Sequence, residues 1–220
     1  ISHDLSSPIS SYTRLTEALI KVIDKLSHEE LKEYISDLNV SSVRLQALLS
    51  NLLQWSLNQS GHFEPNPQKT DIINILDRVC ESIQISADEK NIHINKTAYE
   101  NQLFLVLDEK MTETVFRNIL SNAMKFSPNN SEIEILVQSE LDTVKIIIND
   151  SGPGIDESDI NKLFKYGEDM SKIGKEKEKK GSGLGLILAS EFVEKNKGNI
   201  FAEINKNGGL SIIVEYPKTE

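Results

Sequence analysis

The chain has 220 residues, enough for one large domain or two small ones, with the apolar share and charge mix of a soluble globular protein. Its net charge is −10, with 24 Lys and Arg against 34 Asp and Glu, which argues against a general nucleic-acid or anionic-membrane surface. The single cysteine, Cys80, rules out an internal disulfide and suits a reducing compartment, and neither a bilayer-spanning apolar run nor a signal peptide is visible. The sequence starts Ile1-Ser2-His3 without an initiator Met. It is expected to be a cytoplasmic fragment, with any upstream sensor or membrane anchor outside it.

From Ile1 to about Leu57 there is no Gly, and Pro8 is the only Pro. Two helices are expected, broken near Ser27-His28-Glu29-Glu30. The first carries Leu5, Ile9, Leu15, Leu19, Val22, Ile23 and Leu26 in helical register. The second carries Leu31, Ile35, Leu38, Leu45, Leu49 and Leu52 in steps of four and three, the seam of a bundle. Ser27 with Glu30 is a capping box for the second helix, and the short connection predicts an antiparallel hairpin. Val40, Val43, Leu48, Leu53 and Trp55 widen the apolar face, so pairing with a second copy into a four-helix bundle is expected. Packing of that face on the rest of the same chain is the alternative.

His3 opens this hairpin in His3-Asp4-Leu5-Ser6-Ser7-Pro8. Pro8 removes a backbone donor to the Asp4 carbonyl and is expected to bend the helix there. An imidazole is a competent nucleophile near neutral pH when a neighbouring carboxylate takes its proton, and Asp4 is adjacent. A lone His-Asp pair is also common surface decoration. His28, His62 and His93 have no such setting and read as surface or structural.

Residues 1–58 thus read as one domain, 59–71 as a linker rich in Pro and polar residues, and 72–220 as a second domain. In the second domain Ile72, Ile75, Leu76, Val79 and Ile83 line an amphipathic helix, with Cys80 beside that face in a packing role. Strands are expected at Ile92–Asn95 and Leu103–Leu107, a helix from about Glu109 to Phe126, and strands through Ile133, Ile135 and Val137 and over Val144–Ile148. Glu157–Phe164 and Ser182–Lys195 read as helices. Asn199–Ile204 and Leu210–Tyr216 close the chain as strands around an Asn207-Gly208-Gly209 turn. This order indicates an α+β sandwich, one mixed sheet with helices on a face.

Three features of this domain carry chemistry. Asp150-Ser151-Gly152-Pro153-Gly154 leaves a strand with a carboxylate and two glycines, which suits a ligand that bears an amino group and approaches the backbone closely. By itself the pattern is also that of an ordinary turn. On the 109–126 helix, Asn118, Asn122 and Lys125 share a face: the Asn122 oxygen suits a hard cation such as Mg2+, Lys125 a phosphate, and Phe126 a flat ring. A solvent-facing trio is the plain alternative. Gly181-Ser182-Gly183-Leu184-Gly185-Leu186 leads into a helix, whose N-terminal N–H groups form an anion site. It is neither a Walker A loop nor a dinucleotide fingerprint.

Together these motifs resemble those of a sensor histidine kinase core, over nearly all of the chain. His3-Asp4-Leu5-Ser6-Ser7-Pro8 resembles the phosphoacceptor box, residues 118–128 the Asn box, and the 150–154 and 181–186 segments two glycine boxes, in the family's order. The resemblance implies a dimerisation and phosphoacceptor hairpin followed by an ATP-binding domain of the Bergerat type. It implies that Asp150 accepts from the adenine amino group and that Asn122 binds Mg2+. Asn118 and Lys125 would lie near the phosphates, Phe126 by the adenine, and Gly152 and Gly154 in the adenine loop. Gly181, Ser182, Gly183, Leu184, Gly185 and Leu186 would cradle phosphate, and residues 164–180 would form a mobile lid. Asp4 would be the general base for His3.

The family often has Arg and then Thr or Asn where this chain has Ser6 and Ser7; Ser7 keeps a hydroxyl able to orient water for phosphatase chemistry. Asn207-Gly208-Gly209-Leu210-Ser211 also departs from the commoner Gly-Thr ending and reads as a structural turn. The expectation is an ATP-dependent kinase that phosphorylates His3 and passes the group to an Asp of a response-regulator receiver domain, working as a homodimer. The alternative is an ATP-binding dimeric switch acting mainly as a phosphatase or interaction module. The hairpin argues against a related ATPase of the Hsp90 or mismatch-repair type.

Overall fold

The structure is a computed structural model that describes residues 2–23, 26–39, 41–42, 64–165 and 184–218, with backbone only for 2–8 and 11. It divides into two units, Ile1–Phe63 and Glu64–Glu220. In the first, α1 spans Ser2–Val22 and stays helical through Pro8, and residues 28–39 form α2. The capping box forms as read: the Glu30 carboxylate accepts from the Ser27 N–H and hydroxyl at 2.8 Å, and the Glu30 N–H donates back to Ser27 Oγ at 3.3 Å. No described side chain of this unit is buried, and Ile9, Ile20, Ile23 and Ile35 are exposed. The remainder of the expected seam, from Leu45 to Trp55, lies outside the described residues.

The second unit begins with a strand that the sequence reading left in the linker. Gln68–Asp71 (β1) has no apolar alternation, yet it pairs antiparallel with Phe104–Leu107 (β3) and buries Thr70, whose hydroxyl donates to the Leu107 carbonyl at 3.3 Å. Asp71 then caps α3 (Ile72–Lys90), accepting from Ile73 N–H at 3.1 Å and from Leu103 N–H at 3.0 Å. Helix α3 ends where Asn91 takes the left-handed conformation, φ 51°.

The main sheet has five strands in the order β2-β4-β5-β7-β6: His93–Ala98 (β2), Glu132–Ser139 (β4), Thr143–Asn149 (β5), Asn199–Ile204 (β6) and Leu210–Pro217 (β7). β2 runs parallel to β4 and the other pairs are antiparallel, so the sheet is mixed. Its inner face carries Ile133, Ile135 and Val137, then Val144, Ile146 and Ile148, then Ile212, Val214 and Tyr216, all buried. Helices α3, α4 (Glu109–Phe126) and α6 (Leu184–Lys195) cover this face with Leu76, Val79, Phe116, Ile119, Leu120, Leu188 and Phe192. Each such side chain contributes ~1.5–3 kcal/mol by leaving water. The result is the α+β sandwich expected, with β1 and β3 as a small second sheet.

One detail differs from the sequence reading, and the packing role read for Cys80 holds. The expected helix over 157–164 is one turn, Glu157–Ile160 (α5), because its N-cap Asp156 makes no side-chain hydrogen bond and the chain turns at Asn161. Cys80 is half-buried, and burial pushes its thiol up to about 11, so it stays protonated and packs. No helix among the described residues is long and apolar enough to cross a membrane.

Candidate nucleotide site

Helix α4 is the ruler of the site. It is fixed at its start by Asp108, which accepts from Met111 N–H through Oδ1 and from Asn66 N–H through Oδ2, both at 2.9 Å. The Asp108 N–H donates to buried Asn196 at the end of α6, at 2.7 Å. At the other end Lys90 donates to the Met124 carbonyl at 2.6 Å, a cation on the negative end of the helix dipole. Ser127 ends the helix and Pro128 follows.

Along this helix Asn118, Asn122 and Phe126 succeed one another at one-turn intervals, covering ~12 Å. Asn118 meets α6: a methyl group placed on Gly185 would lie 2.8 Å from Asn118 Oδ1, while Asn118 Nδ2 donates to the Thr114 carbonyl at 3.0 Å. Phe126 meets the 150–154 loop: a methyl group on Gly152 would lie 3.4 Å from Phe126 Cβ and 3.0 Å from Asp150 Oδ1. The Lys125 ammonium lies 4.9 Å from the centre of the Phe126 ring. Asn122, between the two ends, is half-buried, and its side chain makes no hydrogen bond among the described residues.

Asp150 follows β5 directly. Its Oδ1 accepts from Gly152 N–H and from Leu210 N–H, both at 2.9 Å, while Oδ2 makes no hydrogen bond among the described residues. Burial raises the Asp150 pKa from the usual carboxylate value, and the Leu210 and Gly152 N–H groups oppose that rise. The next residue is pinned as well: Ser151 N–H donates to buried Ser127 Oγ at 3.2 Å, and its hydroxyl donates to the Glu132 carbonyl at 2.6 Å. Gly154 sits at φ +67°, and a methyl group there would come within 2.3 Å of the Gly208 carbonyl oxygen.

The structure therefore brings Asp150, Gly152 and Phe126 together at the C-terminal end of α4, with Asn118, Gly185 and the start of α6 together at the middle of that helix. Leu184 and Leu186 are buried core residues of α6 and offer backbone only. Gly181, Ser182, Gly183 and residues 166–180 lie outside the described residues. His3, Asp4 and Ser7 belong to α1 in the other unit, described as backbone only. The sequence reading missed Asn205, Ser127 and Gly209. Asn205 in front of Asn207-Gly208-Gly209 carried the signal of a side chain closing its own turn, with no sign of a remote partner.

This arrangement can take an elongated ligand with an amino-bearing ring at the Asp150 end and anionic groups at the start of α6. A nucleoside triphosphate fits both ends. No cluster of three or more His, Cys, Asp or Glu able to hold a metal occurs among the described residues. The Asn122 amide oxygen on α4 is a hard donor that suits Mg2+ held mainly by phosphate and water.

Residues 107–220 match the family described as histidine kinase-, DNA gyrase B- and HSP90-like ATPases. Over 220 residues, 99% of this chain, the sequence is 30% identical to the sensor protein KdpD of Clostridium acetobutylicum; over 222 residues it is 28% identical to the sensor protein EvgS of Escherichia coli. The chain spans only 24% and 18% of the lengths of those relatives. Among solved structures, the fold is similar to histidine kinase ThkA in complex with response regulator protein TrrA, with TM-score 0.74, 21% identity, and coverage of 99% of this chain and 60% of that one.

Proposed function

We propose that the chain, which belongs to the histidine kinase-, DNA gyrase B- and HSP90-like ATPases, is the catalytic core of a sensor histidine kinase of a two-component system. The unit from Glu64 binds ATP, the helical hairpin carries the acceptor His3, and the phosphoryl group passes on to an Asp of a response-regulator receiver domain. The observation that carries the reading is the line along α4, from the Asp150–Phe126 end to the Asn118–Gly185 end.

In this reading Asp150 Oδ2 accepts from the 6-amino group of adenine, and Phe126 lies against the ring. Asn118, Lys125 and the N–H groups from Gly181 to Leu186 orient the phosphates. The His3 imidazole nitrogen attacks the γ-phosphorus, its proton passes to the Asp4 carboxylate, and the bond to the bridging oxygen breaks to release ADP. Catalysis is then mainly positioning and charge stabilisation around a loose transition state. Mg2+, held in part by Asn122, would supply neutralisation of charge on the phosphate oxygens. The exposed Ile9, Ile20, Ile23 and Ile35 support pairing of the hairpin with a second copy.

Ser6 and Ser7 favour a second activity, removal of phosphate from the regulator by water that Ser7 orients. The full protein is proposed to work in the cytoplasm, with any membrane anchor outside this chain. Incubation with ATP radiolabelled in the γ-phosphate should put acid-labile label on the wild-type chain and on an added receiver domain. Equal labelling of His3→Ala would refute the acceptor.

A further inference from the structure

We propose that Asn205, on the turn between β6 and β7, is a positioning residue that aims the Asp150 carboxylate at the ligand's amino group. The proposal rests on the reading of Asp150 as the amino acceptor. Asn205 Nδ2 donates to the Asp150 backbone carbonyl at 2.8 Å, across 55 positions of sequence. Its Oδ1 accepts from the N–H groups of Asn207 at 3.0 Å and Gly209 at 2.9 Å. One amide side chain therefore both closes the turn and ties it to Asp150.

Leu210, where the turn enters β7, adds two further hydrogen bonds to Asp150. Asp150 N–H donates to the Leu210 carbonyl and Leu210 N–H to Asp150 Oδ1, each at 2.9 Å. A methyl group on Gly209 would come within 2.3 Å of the Asp150 carbonyl oxygen and 2.8 Å of Oδ1, so the turn backbone lies directly against the carboxylate. The bond from Gly152 N–H fixes Oδ1 from the loop side, at 2.9 Å. With Oδ1 committed, the direction of Oδ2 is set by where the main chain at 150 sits, and Asn205 holds the 150–151 peptide by its carbonyl while Ser127 Oγ holds the N–H on its other side. Without the donated hydrogen bond the carbonyl at 150 loses its partner and the carboxylate gains freedom to rotate.

Two variants separate this role from that of closing a turn. Asn205→Ala removes all three hydrogen bonds. Asn205→Asp keeps an oxygen for the Asn207 and Gly209 N–H groups and replaces the donor to Asp150 with a charged oxygen that can only accept, which turns that hydrogen bond into a repulsion. Dissociation constants of the full chain are measured for ATP and for purine riboside triphosphate, which carries hydrogen in place of the 6-amino group. Wild type should prefer ATP by about tenfold or more, the worth of a hydrogen bond to a charged acceptor. Asn205→Asp should reduce that preference by about fivefold, with ATP binding weakened and binding of the purine analogue little changed. Thermal unfolding of both variants shows whether the turn is kept. An unchanged preference in a folded Asn205→Asp chain would overturn the proposal, even if both nucleotides bind more weakly. Absence of preference in wild type would instead overturn the reading of Asp150 on which it rests.

Discussion

The contact between the 150–154 loop and the 205–209 turn can be tested as a backbone contact, using two glycines that differ in one respect. Gly154 and Gly208 both have positive φ, +67° and +86°, so alanine at either is strained by ~1–2 kcal/mol. At Gly208 the added methyl meets nothing within 4 Å; at Gly154 it comes within 2.3 Å of the Gly208 carbonyl oxygen. That oxygen belongs to the main chain, so relief requires the loop or the turn to move, at an overpacking cost of ~1–3 kcal/mol. Gly154→Ala should therefore be less stable than Gly208→Ala by ~1–3 kcal/mol. With a urea m-value of ~2 kcal/mol/M the two midpoints would lie ~0.5–1.5 M apart. Urea unfolding followed by circular dichroism reads this directly. Gly154→Ala should also weaken ATP binding, because the displaced backbone adjoins Asp150. Coincident midpoints for the two variants would show that the loop does not rest on the turn.

Two further outcomes follow from the site. Asp150 has a raised pKa, so just above pH 3.8 the folded chain holds a proton that the unfolded chain has lost, and stability from this group falls as pH rises through that window. Asp150→Asn keeps an oxygen for Gly152 and Leu210 but does not titrate; its stability relative to wild type should rise through the same window and then level off. A flat difference between pH 3 and 7 in chemical denaturation would contradict the burial argument. Asn122→Ala should raise the dissociation constant for ATP in Mg2+ and leave it unchanged in excess EDTA. Equal weakening in both would mean that Asn122 contacts the nucleotide rather than the metal.

Sequence reasoning succeeded where chemistry is local. The helix from about Glu109 to Phe126 was legible in the sequence, and in the structure Asp108 caps its start and Pro128 follows its last turn. Ser27 and Glu30 likewise formed the box their spacing implies. β1 was illegible because Gln68-Lys69-Thr70-Asp71 has no hydrophobic pattern and is a strand only through its pairing with β3. Asn205 was illegible for a related reason. Its turn bonds lie within four residues, but its bond to Asp150 depends on β5 and β7 being neighbours. The same holds for Gly185, whose closeness to Asn118 comes from the packing of α6 on α4.

The division of labour between the two oxygens of Asp150 has a consequence for which base is admitted. A carboxylate with both oxygens available can grip two neighbouring N–H donors at once, and the ring N1–H and 2-amino groups of guanine make such a pair. Here Oδ1 already accepts from Leu210 and Gly152, leaving only Oδ2 without a hydrogen bond among the described residues. As the amino acceptor proposed above, Asp150 then satisfies the lone 6-amino donor of adenine and leaves one of guanine's two donors unpaired on desolvation. Rejection of GTP would in this way be written into two main-chain hydrogen bonds, with no side chain dedicated to it.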